Sequence, residues 1–189
     1  MNDFSNNFEQ EQIIKDNDSV IMNFVVAPAS DHASGLNLEG LVDYINKKTN
    51  FKINLIHCND YDEAMNALIK GKAQIGWLGP YAYLEASRSG MIEQFAIGLP
   101  KGEKTPNYHS VFIVRQDSII TSLEKIKNAR IVIGNRHSTS GYAVPKQEFS
   151  EVGINIDNQN EYKEVIRSNT HDDAIRDIIE GNADVAHIS

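Results

Sequence analysis

The feature that most narrows the fold is an alternation of short β-branched runs with runs of helical period, given once up to residue 89 and again after residue 110. Val20–Val26 (VIMNFVV) is almost wholly apolar and stops at Ala27-Pro28, as a strand covered on both faces does. Leu38, Leu41, Val42 and Ile45 then recur at helical spacing across Leu38–Lys48, and Phe51–His57 alternates as a second strand. Tyr61–Ile69 gathers Ala64, Met65, Leu68 and Ile69 on one face, with Asp60 placed to cap its start and Gly71 to stop it. Ala73–Leu78 reads as a third strand ended by Gly79-Pro80, and Tyr81–Ser89 as a third helix. A β-α-β-α-β-α order is met by a mainly parallel sheet with right-handed crossovers.

The segment Leu99–Asn107 (LPKGEKTPN), with two prolines, a glycine and several charges, reads as a linker or exposed loop. The alternation then resumes. Ser110–Val114, Arg130–Gly134, Glu161–Ile166 and Ala183–Ile188 are strand candidates; Ser122–Lys127, Tyr142–Phe149 and His171–Ile179 are helix candidates. Two α/β halves of about 85 residues each suggest two lobes with a ligand cleft between them. The expected division is a polar lead-in over residues 1–19, lobe 1 over 20–104 and lobe 2 over 105–189. Because the apolar strand ADVAHIS runs to Ser189 with nothing after it, lobe 2 is expected to show an exposed sheet edge there.

Arg130–Gly141, RIVIGNRHSTSG, carries the clearest chemistry. A strand, a glycine-containing loop and a helix start bring free backbone N–H groups and the positive end of a helix dipole to one point, which suits an anion. Ser138, Thr139 and Ser140 add hydroxyl donors there. No GxxxxGK[ST] pattern is present and no lysine lies between Gly134 and Gly141, so the implied ligand is a small oxyanion held by neutral donors rather than a nucleotide. Pro145 is compatible only with a helix that starts near Gly141, where the first N–H groups have no intrahelical acceptor. The alternative is that Ser138 or Ser140 is merely an N-cap, worth about 1 kcal/mol.

The formal net charge of −8 argues against nucleic acid. One cysteine, Cys58, leaves no internal disulfide and suits a buried core thiol. No apolar run approaches the roughly 18 residues that span a membrane. His32, His57, His109, His137 and His187 share no metal-ligand spacing, so neither a metal nor a cofactor is expected. The polar, acidic N-terminus lacks the pattern of a signal peptide, which leaves a cytoplasmic location or an export signal already removed.

Asp60-Tyr61 with the helix after it, GKAQIGWLGP, YHSVFIVRQDS, STSGYAVP and NTHDDAIRDIIEGNADVA occur in unbroken order. Together they resemble the substrate-binding proteins of phosphonate and phosphite ABC transporters. The resemblance implies a two-lobed α/β type II periplasmic-binding-protein fold with mainly parallel sheets. It also implies a chain cut short at its C-terminus, since family members continue past the position of Ser189. It implies capture of a phosphonate, phosphite or phosphate ester without catalysis, for delivery to an ABC permease. Ser138, Thr139, Ser140 and their backbone N–H groups would take the oxyanion, His171 would donate to another oxygen, and Tyr108 and Tyr61 would approach from the cleft walls. An alternative is a ligand-sensing domain of a signalling protein. A hydrolase built on Ser140, His171 and Asp172 lacks the GxSxG elbow, and an aspartate directly after a histidine on a helix points away from its ring.

Overall fold

The computed structural model describes residues 15–16, 19–28, 37–99, 102, 104–168 and 170–189. The chain separates into two compact units: the first is Met1–Gly79 with Tyr83–Ile92, the second Pro80–Ala82 with Glu93–Ser189. The changeover at Ile92–Glu93 precedes the proline-containing segment from which the lobe boundary at 104/105 is read, and the first turn of one helix belongs with the second unit.

In the first unit, β2 (Ser19–Val26) pairs in parallel with β3 (Phe51–His57) over seven residues, Val20 opposite Phe51 through Val26 opposite His57. On its other side it pairs in parallel with β4 (Ile75–Trp77). A two-residue strand, β1 (Lys15–Asp16), lies antiparallel to the start of β2. It falls within the expected polar lead-in, the remainder of which, apart from Ser19, lies outside the described residues. Helices α1 (Leu38–Lys48), α2 (Tyr61–Ile69) and α3 (Pro80–Ser87) follow their strands. The core is Phe24, Val26, Leu38, Val42 and Ile53, with Ile75 and Trp77 packed against it.

Local chemistry explains these bounds. Asn37 caps α1 by accepting the Gly40 N–H at 2.7 Å, and Asp60 caps α2 by accepting the Glu63 N–H at 2.7 Å. Glu63 reaches back to accept the Asn59 N–H at 2.7 Å, which completes a capping box. Gly71 ends the following turn at φ +70, a left-handed conformation in which a side chain is disfavoured. Cys58 is buried, and burial pushes its thiol up to about 11.

The second unit is a four-stranded sheet in the order β5 (Val111–Ile113), β8 (Val185–Ile188), β6 (Arg130–Ile133), β7 (Glu164–Arg167). The expected edge at ADVAHIS is therefore corrected: β8 lies between β5, antiparallel to it, and β6, parallel to it. Backbone pairing on both sides of β8 removes the open row of N–H and C=O groups that defines an edge. The helix expected over Ser122–Lys127 is a 3-10 turn, Leu123–Ile126, and β7 starts at Glu164 because Gln159–Glu161 is another such turn. Helices α4 (Val144–Glu151) and α5 (His171–Glu180) complete the unit. Ile126, Ile131, Ile133, Phe149, Ile156, Tyr162 and Val185 form its core, and Phe112 stacks on Phe149 with centroids 5.2 Å apart.

Asp184 fastens the start of β6. It accepts from the Arg130 backbone N–H at 2.8 Å and from the guanidinium at 2.6 Å, while the same guanidinium donates to the Gly181 carbonyl at 2.8 Å. The guanidinium holds the Asp184 carboxyl below its usual range. A carboxylate whose pKa is lowered in the folded state stabilises that state above the unfolded value of about 3.9, and the contribution is lost as pH falls through the folded value. Urea titrations of the protein and its Asp184→Asn variant are expected to differ in midpoint at pH 7 and to converge below about pH 4; an equal gap at both pH values would show that the charge is not what stabilises.

Candidate oxyanion site

The site is built by the ten residues between β6 and α4. Asn135 starts the loop with an Asx turn: its side-chain oxygen accepts the His137 N–H at 2.9 Å and its carbonyl the Ser138 N–H at 2.8 Å. Ser138 is the N-cap of the next turn, accepting the Gly141 N–H at 3.0 Å. That turn, Thr139–Ala143, is a single π-helical one ahead of α4, closed by Ala143 N–H to Ser138 O at 3.0 Å and Val144 N–H to Thr139 O. Pro145 falls in the first turn of α4, where its missing N–H is tolerated.

Two glycines hold the loop shut. The Gly134 N–H donates to the Gly141 carbonyl at 2.8 Å. A Cβ on Gly134 would stand 2.7 Å from the Gly141 Cα, and a Cβ on Gly141 3.0 Å from the Gly134 Cα. Backbone rests on backbone, so no side chain can yield to make room.

Ser140 and His171 are brought together. Ser140, 5% exposed, has its Oγ 3.1 Å from His171 Nε2. His171 is the first residue of α5, whose N-cap Thr170 accepts the Asp173 N–H at 3.1 Å. Burial lowers the His171 pKa, against a smaller raising effect from Asp172. Sequence reasoning missed a third member, Ser189, whose Oγ is 3.2 Å from Ser140 Oγ and 3.0 Å from His171 Nε2.

The other expected residues have different settings. The Ser138 hydroxyl is buried as the cap, and Thr139 Oγ1 accepts the Tyr81 N–H at 3.0 Å. Tyr108 is half-exposed in the segment ahead of β5, and among the described residues no hydrogen bond joins it to Ser140 or His171. Tyr61 opens α2 in the first unit and is buried. Asparagine and glycine at 134–135 and glycine at 141 are recognisable turn residues. Nothing in a local pattern singles out Ser189.

The triangle of Ser140 Oγ, Ser189 Oγ and His171 Nε2 cannot have a hydrogen bond on every edge. An imidazole nitrogen either donates or accepts, never both. If Nε2 accepts from Ser189, then its contact with Ser140 places two acceptors together once Ser140 donates to Ser189. If Nε2 donates to Ser140, one of the two hydroxyl hydrogens has no acceptor within the triangle. At most two of the three edges can be hydrogen bonds, and because Ser189 is exposed the remaining hydroxyl hydrogen is open to water or to an added acceptor oxygen.

Two units with mainly parallel sheets, together with the likeness to solved binding proteins, place the fold in the class of type II periplasmic-binding proteins. Within that class the family is shown: residues 24–189 match the periplasmic substrate-binding proteins of phosphonate ABC transporters, and the chain belongs to that family. It is 32% identical to the phosphonates-binding periplasmic protein of Escherichia coli over 103 residues, 52% of this chain and 30% of that protein. It is 26% identical to the phosphate-import protein PhnD of Mycolicibacterium smegmatis over 117 residues, 60% of this chain and 36% of that one. The crystal structure of a binding protein component of a phosphonate ABC transporter from Pseudomonas aeruginosa superposes with a TM-score of 0.76 at 25% identity, over 89% of this chain and 56% of that one. The chain thus spans about a third of the length of these curated relatives.

The glycine contact gives a direct check. Gly134→Ala is expected to lower stability by about 1–3 kcal/mol through overpacking, a fall in Tm of several degrees; an unchanged melting curve would mean that the loop is not closed by that contact.

Proposed function

We propose that this chain, as a periplasmic component of an ABC importer, captures a small tetrahedral oxyanion at the Ser138–Ser140 turn and releases it unaltered to a permease. The convergence of Ser140 Oγ, Ser189 Oγ and His171 Nε2, with one hydroxyl hydrogen left over for an added acceptor, is the observation that supports this reading. An anionic oxygen entering beside Ser140 accepts from the hydroxyls and from His171 in its Nε2–H tautomer. Hydrogen bonds to charged oxygens are the stronger kind, worth about 1.5–3 kcal/mol each. The N–H groups of Thr139 and Ser140, in the first turn, lack intrahelical acceptors and add to the same seat. Phosphonate, phosphite and phosphate all present the geometry required. Both the phosphonate and the phosphate named for the curated relatives fit this chemistry. Tyr108 and Tyr61 enter the proposal only through the family resemblance.

The Ser140–His171 spacing of 3.1 Å is also that of a nucleophile and its base. Among the described residues, however, no carboxylate is hydrogen-bonded to the His171 ring to hold its tautomer. Capture without turnover is the reading that the site supports best.

Thermal-shift measurements with phosphite, methylphosphonate, aminoethylphosphonate, phosphate and sulfate test it. At 100 times Kd a ligand bound only to the native state adds about 2.7 kcal/mol, roughly 5–10 °C in Tm for a chain of this size. Ser140→Ala and His171→Ala are each expected to lose most of that rise. If no anion raises Tm, or both variants respond as the parent does, the reading fails.

A further inference from the structure

His187 stands on β8, 4% exposed, with its ring edge-on to Phe112 at a centroid distance of 4.4 Å. Its Nδ1 lies in hydrogen-bond contact with the carbonyl oxygen of Ser140. A carbonyl only accepts, so Nδ1 carries the hydrogen, and in the neutral ring Nε2 is then a bare acceptor. Among the described residues Nε2 has no hydrogen-bond partner. Glu148 Oε2, from α4, faces it at 3.6 Å, beyond hydrogen-bond reach.

The backbone explains why Ser140 needs a donor from another element. In the π-helical register a carbonyl takes the N–H five residues on, as Ser138 does from Ala143 and Thr139 does from Val144. For Ser140 that residue is Pro145, which has no N–H. The α-helical alternative, the Val144 N–H, is already committed to Thr139. Gly141, whose α-helical donor would also be Pro145, is compensated by the Gly134 N–H. Ser140 is compensated by the imidazole.

We infer that His187 is a positioning residue for the oxyanion seat: its Nδ1–H replaces the donor that Pro145 lacks and holds the Ser140 peptide so that Ser140 Oγ meets His171 Nε2. The inference rests on the reading of this turn as an anion site. Burial, reinforced by the charge of His171, lowers the pKa of His187 against a raising effect from the Ser140 carbonyl, so the ring is neutral near pH 7. Protonation adds a hydrogen at Nε2 toward Glu148 and leaves Nδ1–H in place, so the hold on Ser140 persists in both forms. Glu148 has its own pKa raised by burial and by Glu151.

The test has two arms. In the 15N-labelled chain without ligand, long-range imidazole correlations at pH 7.5 are expected to show His187 as the Nδ1–H tautomer; the Nε2–H tautomer would overturn the inference whatever the protein binds. The second arm is calorimetry with methylphosphonate on His187→Asn, whose amide N–H can occupy the place of Nδ1–H, and on His187→Leu, which fills the space without a donor. His187→Asn is expected to bind within about threefold of the parent and His187→Leu about tenfold or more weakly, both measured at a temperature where each variant is folded. Equal affinity in the two variants would reduce His187 to packing and overturn the inference. Failure of the parent itself to bind any anion would remove the proposed function, and the tautomer would still decide whether His187 holds Ser140.

Discussion

The contact of Gly134 against Gly141, backbone on backbone with one hydrogen bond across it, is the constraint on which the rest of the second unit's chemistry depends. It joins the end of β6 to the start of the helical segment and forces residues 135–140 into a closed loop. A closed loop of that length has few ways to satisfy its own backbone. Asn135 turns it, Ser138 caps it, and one π-helical turn takes up the extra residue before α4 begins. Pro145 then leaves two carbonyls without their regular donors, and both are met from outside the helix, by Gly134 and by His187. The side chain of Ser140 is directed by this backbone arrangement.

Electrostatically the proposed seat is neutral within an acidic protein. The chain carries a formal charge of −8, so its overall field does not attract an anion. Burial keeps His171 and His187 toward their uncharged forms, and a charge on His171 further disfavours protonation of His187. Under the proposed function, fixed N–H and O–H dipoles, already oriented, are the means left for holding negative charge.

The elements that could be read from sequence are those whose bounds are set by local chemistry. α1, β3 and α2 fall at the residues that period and capping indicate, because Asn37, Asp60 and Gly71 act within a few residues of themselves. The repeated strand and helix order made two α/β halves with mainly parallel sheets legible; the type II fold came from the family resemblance. What escaped depends on contacts distant in sequence. The position of β8 inside its sheet comes from pairing with β5, more than 70 residues earlier. Likewise, the closure of Ser140, His171 and Ser189 on one another joins three separate elements. The π-helical turn could not be read from periodicity, since it arises from fitting a proline-containing helix start to a loop already shut by glycines.

Residues 24–189 show membership of the phosphonate-binding family, whereas the assignment of the Ser138–Ser140 turn is a proposal that rests on local geometry. The most direct measurement is a 1H–15N titration of the whole chain with methylphosphonate, following backbone amides and histidine ring nitrogens together. The expected result is that the largest displacements occur at the Thr139 and Ser140 amides and at His171 Nε2, saturating with one affinity. Saturable displacements confined to other residues, with that turn and that ring unmoved, would contradict the assignment of the site.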